Sequence, residues 1–377
     1  MKAIALVLAG GLAGGLVAGP PAAAATPATP SPVHRIMLGA TGQTRQEIQQ
    51  REGETGHRLE GVRVFRRWNE PLFDGNQVWA KKTGHTVFVS IKTRLANGAK
   101  LSWHDIAVAP PGSPLWRDMQ RQAREIRQFG AVVYVVFNHE PDARTSAPMG
   151  RPADFVAAWR RLVSTYRAAG VRNARYVWTV TGWAFMSGVG GGRTRADQYY
   201  PGDAYVDHIA GDTYNFYTCH SPSGRWQTPA ELLDPQRRFG LRHPGKGLML
   251  LEFGTVADPA APARKAQWLR DLSRLLASPP YRQFRAALYW DDQHTGKRIS
   301  TACDFDYRTS PDALSAWRSM ATTPAFAVRS SCAFGDCASV WKGRRSRLLL
   351  AGGAPVALIV AGLVAFGLHR KRRTSLR

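Results

Sequence analysis

Eight short apolar segments recur through the middle of this 377-residue chain, at residues 34–39, 62–68, 85–93, 131–138, 174–181, 206–214, 247–252 and 285–290. Most are near-continuous apolar runs rather than alternating ones, the pattern of strands covered on both faces. Between several of them lie stretches with helical period and one polar face, at 114–129, 152–169 and 262–276. Strands that alternate with helices imply a parallel sheet with right-handed crossovers. Eight such repeats within residues 33–324 fit an α/β chain closed into a (β/α)8 TIM barrel better than an open doubly wound sheet. The open sheet often carries a phosphate-binding glycine turn. The densest glycine run here, 188–192, follows the fifth segment without that spacing and is expected to be a mobile βα loop.

A hydrophobic content of 44% is ample for one folded core, so the two ends mark themselves off by composition. Residues 1–25 begin Met1-Lys2, continue as an apolar Ala/Gly/Leu run and end in small residues, which is the design of a cleaved secretory signal peptide. Residues 26–32 form a Pro-rich spacer, and 325–347 a basic linker holding Cys332 and Cys337. The segment 348–368 carries no charge and is long enough to cross a hydrocarbon core, with a basic tail at 369–377 behind it. Basic residues flank that segment on both sides, so the signal peptide decides the orientation. The expectation is a monomer on the extracellular face of the cell membrane, held by a single-pass type I transmembrane helix.

The formal charge of +24 raises the question of nucleic acid. Nine lysines and arginines and no acid lie in 342–377, and many of the rest are arginines at helical spacing, such as Arg117, Arg121, Arg124 and Arg127. No nucleic-acid motif accompanies them, so they read as a solvated surface suited to an anionic cell envelope, with no nucleic-acid partner. Four cysteines in a secreted chain allow two disulfides in three pairings. Cys332 and Cys337 are near enough in sequence to close a small loop. Cys219 and Cys303 would then pair across two loops, provided those loops share one end of the fold. No metal-ligand spacing accompanies the cysteines.

Two of the strand-like runs end in a glutamate. The run AVVYVVFNHEPD, 131–142, delivers Glu140 after the fourth strand, and GLMLLEFGT, 247–255, delivers Glu252 at the end of the seventh. A carboxylate at the edge of an apolar core is costly unless it is paired or used. Two of them on the C-terminal face of a barrel match the needs of glycoside hydrolysis: one acid to protonate the leaving oxygen, and one carboxylate to attack or to activate water. That chemistry requires no metal and no organic cofactor.

The histidine directly before the first glutamate, YYPGDAYVDHIAGDTYN at 199–215 and LEFGT at 251–255 together resemble glycoside hydrolase family 26, the β-mannanase family in the large clan of retaining barrel glycosidases. The resemblance implies Glu140 as general acid/base and Glu252 as nucleophile. It implies further that His139 orients the acid or contacts sugar, that Asp212 and Tyr214 match the family's Asp-x-Tyr, with the tyrosine hydroxyl bonded to the nucleophile, and that Trp290 floors the reacting ring. Trp68 and Trp183 are candidates for further stacking subsites. The chain departs from the family at Pro141–Ser146, where no tryptophan follows the acid. The implied activity is double displacement on a β-linked polysaccharide, with β-1,4-mannan named first. A β-1,3-xylan, a mixed-linkage glucan and a non-catalytic carbohydrate-binding barrel are the alternatives.

Overall fold

The structure is a computed structural model that describes residues 34–219, 221–291 and 303–327. The signal peptide, the spacer, most of the linker with Cys332 and Cys337, the transmembrane segment and the basic tail lie outside the described residues. Among the described residues no helix is long and apolar enough to cross a membrane.

All eight apolar segments are strands: β1 (Met37–Thr41), β2 (Gly61–Arg67), β3 (Thr86–Lys92), β4 (Val133–Phe137), β5 (Ala174–Thr181), β6 (His208–Asn215), β7 (Gly247–Thr255) and β8 (Phe284–Tyr289). Each pairs in parallel with its sequence neighbours, and β8 pairs with β1, so the sheet closes into a barrel with helices outside it. Closure leaves no unpaired strand edge.

The strand period of two sorts side chains between two cores. Phe88, Val136, Val177, Ala210, Met249, Leu251, Ala286 and Leu288 fill the barrel interior. Residues of the opposite parity, such as Val62, Val64, Val87, Val89, Val135 and Phe137, pack outward against the helices. The helices at Pro114–Phe129, Pro152–Ala168 and Arg264–Ala277 fall where the sequence pattern places them. The first shows why: Ser113 Oγ accepts the Trp116 amide at 3.3 Å, Pro114 sits in the first turn, and Gly130 ends the helix at φ 71°. Met119, Ala123, Ile126 and Phe129 face the sheet, while Arg117, Arg124 and Arg127 face solvent.

The glycine run at 188–192 differs from the loop expected. Gly188–Gly190 pairs antiparallel with Arg193–Thr194, and Gly190, Gly191 and Gly192 all take positive φ to make the tight reversal between them.

Barrel closure is tightest where β1 meets β2. A Cβ built on Gly39 would stand 2.3 Å from the carbonyl oxygen of Gly61, which is fixed backbone. Gly39→Ala is therefore expected to lower stability by about 1–3 kcal/mol through overpacking, read as a lowered midpoint in thermal or urea unfolding. An unchanged midpoint would show that the β1–β2 seam can spread.

Candidate active site

The C-terminal ends of the strands gather the chain's polar interior. Beyond β4 the backbone turns through two left-handed non-glycine residues, Asn138 at φ 39° and Glu140 at φ 53°. Such a conformation costs about 1–3 kcal/mol at a residue like glutamate and persists only where its surroundings enforce it. Here the Asn138 amide donates to Ile91 O at 2.8 Å and the Glu140 amide donates to Thr179 O at 3.1 Å, which ties the turn to both neighbouring strands. The Asn138 side chain also accepts from Thr93 Oγ1 at 2.5 Å. The turn sets the Glu140 side chain on the wall of a cleft of about 640 Å³, shared with Asp142, Trp183, Asp212 and Tyr214.

Glu252 reaches the same face by a bulge. Along β7 the partners of Gly211 and Asp212 are Leu250 and Glu252, so Leu251 is one extra residue on that strand. The pairing with β8 steps over the same stretch, from Ala287↔Leu250 to Tyr289↔Phe253. Met249 and Leu251 both point into the barrel, and an unbroken alternation would then send Glu252 outward among the helices. The bulge re-aims it inward, as bulges beside active sites do.

Arg63 holds Glu252 in place. Its side chain is fully buried within β2, and its Nη1 donates to Glu252 Oε1 at 2.9 Å and to Leu251 O at 3.0 Å, with Asp212 Oδ1 at 3.5 Å. Its Nε donates to Ser90 Oγ at 2.9 Å. The Tyr214 hydroxyl donates to the other carboxylate oxygen, Glu252 Oε2, at 2.7 Å. Both carboxylate oxygens of Glu252 are thus hydrogen-bonded by charged or phenolic donors.

Glu140 has the opposite surroundings. Burial first, and then the negative charges of Glu252 and Asp142, push its carboxyl up to about 8, against the opposing pull of Arg63 and Lys92. Burial, and next the charge of Glu252, raise Asp212 well above the usual carboxylate range. His139 is driven well below its ordinary value by burial and then by Arg63 and Lys92, so its imidazole is neutral. Asp142, two residues beyond the acid, accepts from the Thr181 amide at 3.0 Å and from the Thr181 hydroxyl, pinning the loop to the end of β5.

His139, Asp212 and Glu252 have ligand atoms within 4.8 Å of one another, a spacing that could hold a cation. The Arg63 guanidinium already stands between the two carboxylates of that trio, so their charge has its counter-ion in the protein.

The structure brings together Glu140, Glu252, His139, Asp212 and Tyr214. Trp290 is half-buried at the end of β8, edge-on to Phe65 at 5.9 Å, beside the mouth. Trp183 stands on the cleft wall with 66% of its surface exposed. Trp68 is not at the site. It is fully buried against Phe137 in the outer core, because it shares the outward parity of Val62 and Val64. Arg66 bonds Asp74 and Gln77 on the helix side. Cys219 and Cys303 form a disulfide with Cα atoms 5.1 Å apart, joining the loops after β6 and β8 on the catalytic face.

Sequence reasoning missed Arg63, Lys92, Phe65 and Asp142. For Arg63 a signal was available: an arginine inside an apolar strand must meet a carboxylate across the barrel.

No family model matches the chain. Endoglucanase H of Acetivibrio thermocellus is 25% identical over 205 residues, which is 52% of this chain and 21% of that protein, so the chain spans about a fifth of that relative's length. Among solved structures, the family 26 β-mannanase of Bacteroides ovatus superposes at a TM-score of 0.55 with 12% identity, over 80% of this chain and 95% of that one. The modular endo-β-1,4-mannanase of Cellulomonas fimi gives 0.54 with 19% identity, over 77% and 71%. The catalytic domain of the family 26 endo-β-1,4-mannanase of Bacillus sp. JAMB-750 gives 0.54 with 12% identity, over 78% and 87%. At such identities the likeness shows a shared barrel fold, and it agrees with the family 26 resemblance read from the motifs.

Proposed function

We propose that this chain is a retaining glycoside hydrolase acting on a β-linked polysaccharide. The observation that carries the reading is the split between its two glutamates: Glu252 has both oxygens held by Arg63 and Tyr214, while Glu140, on the wall of the cleft, has its carboxyl pushed up to about 8 by burial and then by the charge of Glu252. Double displacement needs that split. Glu252 attacks the anomeric carbon as Glu140 passes its proton to the departing glycosidic oxygen, leaving a glycosyl ester on Glu252. Glu140, now ionised, takes a proton from water as the water attacks the anomeric carbon and Glu252 departs. Neutral His139 and Asp212 shape the pocket between them, and Tyr214 and Arg63 steady the nucleophile. Trp290 and exposed Trp183 are the surfaces offered to sugar rings.

β-1,4-Mannan is the first substrate proposed, supported by the family 26 motifs and by the mannanase names of the structural neighbours. A β-glucan is the second reading, favoured by the name of the endoglucanase relative and by the absence of a tryptophan at Pro141–Ser146. The sequence supports placing the barrel outside the cell, tethered through 348–368.

Glu252→Ala and Glu140→Ala are each expected to abolish release of reducing ends from the substrate found on a panel of mannans, xylans and glucans, with the unfolding midpoint retained. Near-wild-type turnover in either variant would leave the barrel a binding protein.

Because the acid must be protonated and its carboxyl titrates at about 8, kcat/KM should hold through neutral pH and fall on the alkaline side near that value. Asp142→Asn removes a negative charge that disfavours ionisation of Glu140, so the alkaline limb should move to lower pH. A limb that moved upward, or stayed in place, would contradict the electrostatic assignment.

A further inference from the structure

Lys92, the last residue of β3, has the inward parity of Phe88 and Ser90, so it rises from the barrel interior into the mouth. Its ammonium lies 4.8 Å from the centre of the Phe65 ring, whose other close cation is the Arg63 guanidinium at 4.8 Å. It stands within the fields of Glu252 and Glu140, yet among the described residues its Nζ has neither a hydrogen bond nor an ion pair, and part of the side chain is open to solvent. The acids around it are already engaged: Glu252 by Arg63 and Tyr214, and Asp142 by Thr181. Arg144, on the wall of the cleft that Glu140 also lines, is exposed and likewise has no ion pair among the described residues. Lys92 and Arg144 are therefore two cations at the strand ends that no carboxylate of the described residues pairs.

A neutral sugar seated against Phe65 would strip water from the Lys92 ammonium and return no counter-charge, a desolvation that is expensive near a low-dielectric wall. A carboxylate on that sugar would repay it with a charge-assisted hydrogen bond. We propose that the glycan taken by this site carries carboxylates, as a uronic acid does, and that Lys92 pairs with the carboxylate of the sugar lying against Phe65. The inference rests on the glycosidase reading of the same cleft and adds the charge of its substrate.

The test uses matched polymers: a β-1,4-mannan and a β-1,4-glucan, each as the neutral chain and after oxidation of its C6 hydroxyls to carboxylates. The quantity read is the ratio of kcat/KM on the oxidised to the neutral member of a pair. Wild type is expected to prefer an oxidised polymer by about tenfold or more, and Lys92→Met to bring that ratio close to one. Arg124→Met, which removes one charge on the solvent face of an outer helix, should leave the ratio unchanged and so controls for attraction of a polyanion to a basic chain. A wild-type ratio of one or less, or a ratio retained in Lys92→Met, overturns the proposal while the hydrolase assignment stands. If neither backbone is cleaved, the hydrolase reading fails on those linkages, and affinity electrophoresis on the same polymers decides the pairing. Retardation by an oxidised polymer that Lys92→Met abolishes supports it, and equal retardation of the two proteins overturns it.

Discussion

The buried contact between Arg63 and Glu252 is the constraint on which the catalytic face depends. A guanidinium sealed inside a barrel is costly unless acceptors answer it, and four answer Nη1 and Nε of Arg63: Glu252, Asp212, the Leu251 carbonyl and Ser90. Those acceptors come from β3, β6 and β7, so the ion pair fixes the relative height of four strands including its own β2. The bulge at Leu251 follows from the same demand, because it presents both the Leu251 carbonyl and the Glu252 carboxylate to one nitrogen.

The same pocket sets two carboxyls to opposite tasks. Burial pushes Glu140 up to about 8, and the negative charge of Glu252 beside it adds to that push. Glu252 is also buried, and Arg63 and Tyr214 donate to its two oxygens. The two glutamates thus differ through their surroundings rather than through their residue type. Strain at Asn138 and Glu140 belongs to this arrangement, since the left-handed turn sets Glu140 on the wall of the cleft.

Much of this was legible in the amino-acid order, and the remainder was hidden for physical reasons. The eight strands were readable because parallel strands buried on both faces leave near-continuous apolar runs, and the helix at Pro114–Phe129 because Ser113, Pro114 and Gly130 mark its ends. Glu140, Glu252, Asp212 and Tyr214 were found through motifs, and the pairing of Cys219 with Cys303 through the loops they occupy. Trp68 was misplaced because a position near a strand end does not say which face the side chain takes; parity with Val62 and Val64 does. The bulge was invisible, since period-two reading from Met249 sends Glu252 outward. Arg63 and Lys92 looked like basic interruptions in apolar strands, and only the closed barrel shows that both point inward to the carboxylates.

The central claim is that Glu252, held by Arg63 and Tyr214, attacks sugar. The most direct measurement is peptide mapping by mass spectrometry after incubation with a fluorosugar that traps glycosyl esters, built on the sugar that the enzyme releases. The account predicts one adduct, on Glu252, absent from Glu252→Ala. An adduct on Glu140 or any other residue, or hydrolysis that proceeds with inversion and no adduct, would contradict it.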